Sequence, residues 1–267
     1  MAQRLDVYLV ENSLVSSRER AKAVIMAGDV YIDNQKADKP GTPVKEGMKV
    51  EVRADDMKYV SRGGLKLEKA MERFSLKLDN MICADIGAST GGFTDCMLQN
   101  GAKKVYAIDV GYGQLAWSLR TDERVVNMER TNFRYVTHEQ IAEDLDFASV
   151  DVSFISLEKI LPVMQKLMNE NSSAVCLIKP QFEAGREKVG KKGVVRDKNV
   201  HIEVVEKILK FAQSLGFSVE GLDFSPIKGP QGNIEYLMYI KNDAKGEMRL
   251  EISPKELVEN SHETLDK

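Results

Sequence analysis

The sequence predicts a doubly wound α/β fold, a seven-stranded sheet with helices on both faces, preceded by a small α+β domain. Three observations carry that prediction. Apolar, β-branched segments recur near 81–86, 104–109, 124–128, 145–151, 173–179, 217–223 and 234–241, most of them separated by helical stretches such as 155–168 and 200–214. A glycine-rich turn follows the first of these segments and opens a helix. The residues before about 60 show a different rhythm, short helices followed by short strands.

In that first block, Ser16-Ser17-Arg18-Glu19 reads as a capping box, with Ser16 accepting from the helix start and Glu19 reaching back. The helix runs from Arg18 to Ala27 and stops at Gly28. Ala21, Val24 and Ile25 give it one apolar face, while Arg18 and Lys22, four apart, share a solvent-side stripe. Asp29 to Lys36 reads as a strand running into a turn, with further short strands at Val44 and Val50–Val52. We set this domain at 1–58, with a charged linker at about 53–60.

The second domain is set at 61–243. Leu67, Ala70, Met71 and Phe74 recur at helical spacing, and Lys66 stands at the edge of their stripe. Val205, Ile208, Leu209 and Ala212 form a second buried stripe. The last two strands have no helix between them and are expected to pair antiparallel. The charged tail, 244–267, reads as a surface helix or a frayed end.

Composition narrows the function. Of the 267 residues, 43% are hydrophobic and 30% charged, which is ordinary globular usage. Apolar runs such as Ala174–Ile178 are too short to span a bilayer, and the N-terminus has no secretory h-region. The three cysteines, Cys83, Cys96 and Cys176, fit neither a zinc spacing nor a disulfide framework and read as buried thiols of a cytoplasmic protein. No metal cluster is visible in the sequence. A net charge of −3 argues weakly against a nucleic-acid partner, although a local basic face would suffice.

Residues 84–93 read Ala-Asp-Ile-Gly-Ala-Ser-Thr-Gly-Gly-Phe. A turn at the carboxyl end of the first strand is where doubly wound sheets bind ligands. The spacing is Gly87-x-x-x-Gly91-Gly92, and Asp85 lies inside the strand end. A carboxylate there repels a pyrophosphate but suits a cationic amino group, which favours S-adenosylmethionine over a dinucleotide. Asp109 ends the second strand, where an acid takes ribose hydroxyls. The candidate cofactor residues are Asp85, Gly87, Ser89, Thr90, Gly91, Gly92, Phe93, Asp109, Asn132 and Asp151, with Asn132 placed near the adenine. Helix capping is the competing role for both acids.

Four further residues fall at strand ends or beside them. Asp151 closes the fourth strand, Lys179 closes the fifth, Glu235 opens the last, and Lys66 stands in Ser61-Arg-Gly-Gly-Leu-Lys66. A lysine ending Ala-Val-Cys-Leu-Ile is costly to bury without carboxylates, which Asp151 and Glu235 could supply. The basic, glycine-rich stretch Gly185–Lys198 reads equally as a loop that grips phosphates or as a solvated loop.

Several strings resemble known families. Arg4-Leu-Asp-Val-Tyr-Leu, Ser17-Arg-Glu-Arg-Ala21 and Ala27-Gly-Asp-Val-Tyr-Ile-Asp33 resemble the small RNA-binding domain named after the fourth protein of the small ribosomal subunit. The resemblance implies RNA contacts at Arg4, Arg18, Arg20, Lys22 and Lys36, and Arg62 is expected to contact RNA as well. Lys66, Asp151, Lys179 and Glu235 match the Lys-Asp-Lys-Glu tetrad of FtsJ-type ribose 2′-O-methyltransferases. Ser61–Leu67, Asp85–Asp95, Asp151–Leu157 and Leu177–Gly185 look like the TlyA family, which was labelled hemolysin and contains rRNA 2′-O-methyltransferases. This likeness runs from about residue 3 to about 241. It implies a Rossmann-like methyltransferase sheet and a cytoplasmic enzyme that methylates cytidine ribose in rRNA or ribosomal subunits. Lys179 would position or deprotonate the 2′-hydroxyl, with no metal and no membrane involved. A membrane-lytic toxin would need an amphipathic segment able to leave the fold, and none is found. A non-catalytic RNA-binding or ribosome-assembly factor would not need Asp85, Lys179 or the glycine loop, and all are present. A base methyltransferase would carry an Asn/Asp-Pro-Pro-Tyr-like motif where Asp151-Val-Ser-Phe stands.

Overall fold

The computed structural model describes residues 3–15, 17–52, 58–229 and 231–266. Ser16 of the expected capping box and Arg53–Met57 of the expected linker lie outside them. The chain divides into two compact units, Met1–Ser61 and Arg62–Lys267.

In the first unit, β1 (Gln3–Arg4) leads into α1 (Leu5–Glu11) and α2 (Arg18–Ala27), followed by β2 (Val30–Ile32), β3 (Gln35–Lys36), β4 (Pro43–Val44) and β5 (Val50–Val52). The cap of α2 is Ser17, one residue later than expected, and its hydroxyl accepts from the Arg20 amide at 3.1 Å. Gly28 ends the helix in the left-handed conformation. Ala21, Val24 and Ile25 bury against Leu5 and Leu9 of α1 and Val30 of β2, so the predicted apolar face forms this unit's core.

The second unit begins with α3 (Gly64–Arg73) and alternates strand and helix from there: β6 (Ile82–Ile86), α4 (Gly92–Gln99), β7 (Lys104–Ile108), α5 (Trp117–Arg120), β8 (Val125–Met128) and β9 (Leu145–Val150). It continues through α6 (Leu161–Leu167), β10 (Met168–Ile178), α7 (Pro180–Glu183), α8 (Lys198–Ser214), β11 (Ser218–Phe224), β12 (Tyr236–Lys241) and α9 (Pro254–Leu265). The seven strands lie in the order β11-β12-β10-β9-β6-β7-β8. β6 to β10 are parallel, and β12 runs antiparallel between β10 and β11. The seven-stranded α/β sheet, its antiparallel final pair and the preceding α+β unit are therefore as the sequence predicts.

The fifth strand begins earlier than expected, at Met168, and its register shifts before Ser173 where Asn171 takes a positive φ. The segment beyond 244 is less peripheral than expected. α9 buries Leu257, Val258, Ser261 and His262 and packs on α8 and β11. Its charges lie on the outer face of an amphipathic helix that completes the core. Cys83, Cys96 and Cys176 are buried and not in disulfides. Among the described residues, no helix is long and apolar enough to cross a membrane.

Strand alternation decides what reaches the site. Ile86, Val150, Ile178 and Tyr236 all belong to the core that includes α6, α8 and α9. The residues one step away, Asp85, Asp151, Lys179 and Glu235, therefore project to the opposite face, where α3 and α4 pack.

Candidate active site at the carboxyl edge of the sheet

Each of the four tetrad residues sits just outside regular structure or at its start. Asp151 follows β9, Lys179 follows β10 and caps α7, and Glu235 immediately precedes β12. Pro180 stops the strand after Lys179, because it offers no amide to the ladder and fits the first helical turn. Lys66 comes from the first turn of α3.

The structure brings all four together. Lys66 Nζ donates to Glu235 Oε2 at 2.6 Å and to Asp151 Oδ2 at 3.4 Å. Lys179 Nζ meets the other Asp151 oxygen, Oδ1, at 2.5 Å and Ser153 Oγ at 3.3 Å. Lys66 and Lys179 are each 7% exposed and Glu235 only 1%, so these ion pairs are shielded from solvent. Burial works against charge on Asp151, but the Lys66 and Lys179 ammoniums outweigh it and hold the carboxyl below its ordinary range. Burial likewise opposes charge on Lys66, yet Asp151 and Glu235 raise its affinity for the proton. The cluster is an alternating chain, Glu235–Lys66–Asp151–Lys179, with Lys179 at its end.

The glycine turn packs closely against neighbouring parts of the chain. Gly87 has φ +92°, and a Cβ there would lie 2.4 Å from the Asp151 carbonyl oxygen. A Cβ on Gly91, φ +97°, would lie 2.3 Å from Leu119 Cδ1. Both glycines thus make room for the protein's own chain, and Gly87 fixes the approach of the Asp151 backbone. Gly92 and Phe93 are buried in α4. Ser89 is exposed, and the Thr90 carbonyl accepts from Ala116 at 3.1 Å.

Asp85 is 1% exposed. Its Oδ2 accepts from the Thr94 amide at 2.8 Å and the Thr94 hydroxyl at 2.7 Å, and Ser149 Oγ lies 3.4 Å from Oδ1. Burial pushes its pKa up to about 7, against those hydrogen bonds. The half-buried Asp109 accepts from the Ser89 amide at 2.8 Å and the Gly111 amide at 2.7 Å. It thereby ties the turn after β6 to the turn after β7. The Asn132 side-chain oxygen caps the 133–135 turn, accepting from the Arg134 amide at 3.2 Å.

The expected RNA contacts fall in both units. Arg4 and Arg18, both more than half exposed, flank the fully buried Asp6 at 2.9 and 3.2 Å. Lys22 and Lys36 are exposed, Arg20 is half-buried, and the Lys36 stem crosses the space left by Gly28. Arg62 is exposed at the start of the second unit.

Sequence reading missed several partners. Thr94 and Ser149 hold Asp85, and nothing in their immediate sequence signals it. Glu183 accepts from Ser156 Oγ at 2.6 Å and the Leu157 amide at 2.8 Å, locking the loop after Asp151 to the helix after Lys179. Phe154 is 89% exposed with φ +63°, its ring 5.1 Å from that of Phe182. It follows Asp151 by three residues, as Phe182 follows Lys179.

A seven-stranded sheet with this strand order and this edge cluster defines a methyltransferase domain. Residues 59–242 match the FtsJ-like methyltransferase family, and residues 3–50 match the S4 domain. The chain belongs to the TlyA family. It is 52% identical over 98% of its length to YqxC of Bacillus subtilis (strain 168), a candidate rRNA methyltransferase of which 95% is covered. It is 44% identical over 89% of each chain to the 16S/23S rRNA (cytidine-2′-O)-methyltransferase TlyA of Mycobacterium tuberculosis. A solved chain from Streptococcus thermophilus that carries the hemolysin label superposes with TM-score 0.80 at 47% identity, covering 99% of this chain and 97% of that one.

Proposed function

We propose that this protein transfers a methyl group from S-adenosylmethionine to the ribose 2′-hydroxyl of a cytidine in ribosomal RNA, presented as rRNA or as a ribosomal subunit, with the cytoplasm as the compartment. The observation that carries the reading is the buried Lys66–Asp151–Lys179 chain, with Asp151 bridging two lysines and Glu235 closing the far end. The cytidine and the rRNA are supported by the name of the Mycobacterium tuberculosis relative.

The residues present fit the cofactor. Asp109 offers a carboxylate held by two amides to ribose hydroxyls, and Asp85 offers a buried carboxylate to a cationic amino group. The α4 N-terminus and Ser89, Thr90, Gly91 and Gly92 form the turn between them. Bound S-adenosylmethionine supplies a methyl group already activated on a sulfonium. The chain's own task is to aim the 2′-oxygen and remove its proton. Lys179 Nζ, at the end of the chain of ion pairs, holds that oxygen and accepts its proton when the amine is neutral. Lys66 holds Asp151 and Glu235, so Lys179 keeps one direction. Phe154 offers a ring face to the unstacked target base or its neighbour. Residues 1–58 act as the RNA-holding domain and 61–243 as the catalytic one.

The test is transfer of labelled methyl to ribosomal subunits from a strain lacking this gene, with Lys179→Ala as control. Label in an alkali-resistant dinucleotide, lost in the variant, is the expected result. A wild-type protein that binds the cofactor but labels neither subunits nor naked rRNA would remove the substrate class. Full transfer by Lys179→Ala would remove the lysine's role.

A further inference from the structure

The basic stretch between Lys179 and α8 is unused by the chemistry above. From Gly185 to Lys198 it carries Arg186, Lys188, Lys191, Lys192, Arg196 and Lys198 against Glu187 and Asp197 only, in a chain whose net charge is −3. All six cations are exposed. Lys188 pairs with Glu203, and Asp197 caps α8 by accepting from the Asn199 amide at 2.8 Å. Among the described residues, Arg186, Lys191, Lys192 and Arg196 have no ion-pair partner. A charge run of this kind is by itself a solvated loop, but this one is folded and anchored.

Its tip is a tight turn. The Gly193 amide donates to the Gly190 carbonyl at 2.8 Å, and the Gly190 amide donates to the Val194 carbonyl at 3.1 Å. Lys191 and Lys192 occupy the two corner positions, and Gly193 supplies the positive φ, +73°, with open space around it. The base of the turn is fixed by buried groups. Asn233, 1% exposed, uses both ends of its amide: Oδ1 accepts from the Val195 amide at 3.1 Å, and Nδ2 donates to the Gly193 carbonyl at 2.9 Å. Val195 is itself buried, and its carbonyl accepts from His201 Nε2 at 2.9 Å. The other nitrogen of His201 meets the Tyr236 hydroxyl at 2.6 Å. A solvated loop needs no such clamp. Asn233 is also only two residues from Glu235, a span of at most about 7 Å.

We propose that the Lys191–Lys192 turn, with Arg186 and Arg196 at its base, grips phosphates of the RNA strand that flanks the target nucleotide, and that Asn233 is the residue that positions this grip against the tetrad. The proposal rests on the RNA methyl-transfer reading. It adds an electrostatic contact in the catalytic unit itself, separate from the N-terminal unit. Ordering the turn in the free protein removes an entropic cost from RNA binding.

The experiment is retention of labelled subunits and of naked rRNA by the full-length protein between 50 and 200 mM salt, beside titration of cofactor binding. Each lost phosphate contact lowers the salt slope by about 0.7 on single strands or about 0.9 on duplex. Lys191→Ala/Lys192→Ala should lower it by about 1.4 to 1.8 and leave cofactor binding intact. Asn233→Ala should raise the KM for RNA and reduce the slope. Added to a variant in which Arg186, Lys191, Lys192 and Arg196 are all replaced by alanine, it should cost nothing further, because its effect passes through those cations. An unchanged slope in the lysine variant, with wild-type protein binding normally, would overturn the grip. An additive effect of Asn233→Ala would overturn its positioning role. If Asn233→Ala unfolds by circular dichroism, the lysine variant decides alone. Wild-type protein that neither retains nor methylates RNA would bring down the RNA reading itself.

Discussion

Asp85→Asn should stabilise the protein while weakening its cofactor binding. The folded protein keeps a proton on Asp85 up to a pKa of about 7, because burial outweighs the hydrogen bonds from Thr94 and Ser149, whereas the unfolded chain releases it near 3.8. Between those values the native state binds more protons than the unfolded state, so this group's contribution to stability falls as pH rises. Three units at about 1.4 kcal/mol each give a cost on the order of 4 kcal/mol above pH 7. Roughly two of those units, or about 3 kcal/mol, are lost between pH 5 and 7. An asparagine can accept from Thr94 through its oxygen and face Ser149 with its amide, without a charge to desolvate. The stability gap between Asp85→Asn and wild type should therefore widen by about 3 kcal/mol from pH 5 to pH 8. Urea unfolding followed by circular dichroism at several pH values, without cofactor, reads this directly. Calorimetry should show S-adenosylmethionine binding to wild type strengthening up to pH 7 and flattening above it, with that dependence gone in the variant. A variant that is less stable than wild type at pH 8, or one that keeps the wild-type pH dependence, would refute the reasoning.

Gly87→Ala should abolish methyl transfer and cost several kcal/mol of stability, since its Cβ would sit 2.4 Å from the Asp151 carbonyl oxygen at φ +92°; activity and urea midpoint together check it. Phe154→Ala should change stability little, because the ring is mostly exposed and alanine keeps the same left-handed backbone, and lower kcat/KM on subunits about tenfold or more if the ring stacks on a base. Arg4→Ala/Arg18→Ala should reduce the salt slope of RNA retention by about 1.4 to 1.8 with cofactor binding unchanged, and an unaltered slope would remove those contacts.

The sequence by itself singled out the succession of strands and helices, the two-part layout and the four edge residues, though not their mutual distances. It could do so because the needed information is local. Burial on both faces makes a parallel strand a continuous apolar run, so a charged Lys179 after Cys176-Leu-Ile marks where the run ends. A fixed alternation then sends Asp151, Lys179 and Glu235 to the same face. The loop at 185–198 announced its charge but not its role, since composition does not show whether a loop is anchored. Tertiary structure alone decided that Lys66, distant in sequence, meets Glu235 at 2.6 Å, and that Asn233 and His201 hold Val195. It also decided that Gly87 yields space to Asp151 and that Thr94 and Ser149 surround Asp85. The α9 segment, which composition marks as a charged tail, is placed in the core by the apolar face it buries against α8 and β11. In each of these cases the partner lies across the sheet or on another element. The energy that fixes the contact comes from desolvation and hydrogen-bond satisfaction, which exist only once the chain has folded.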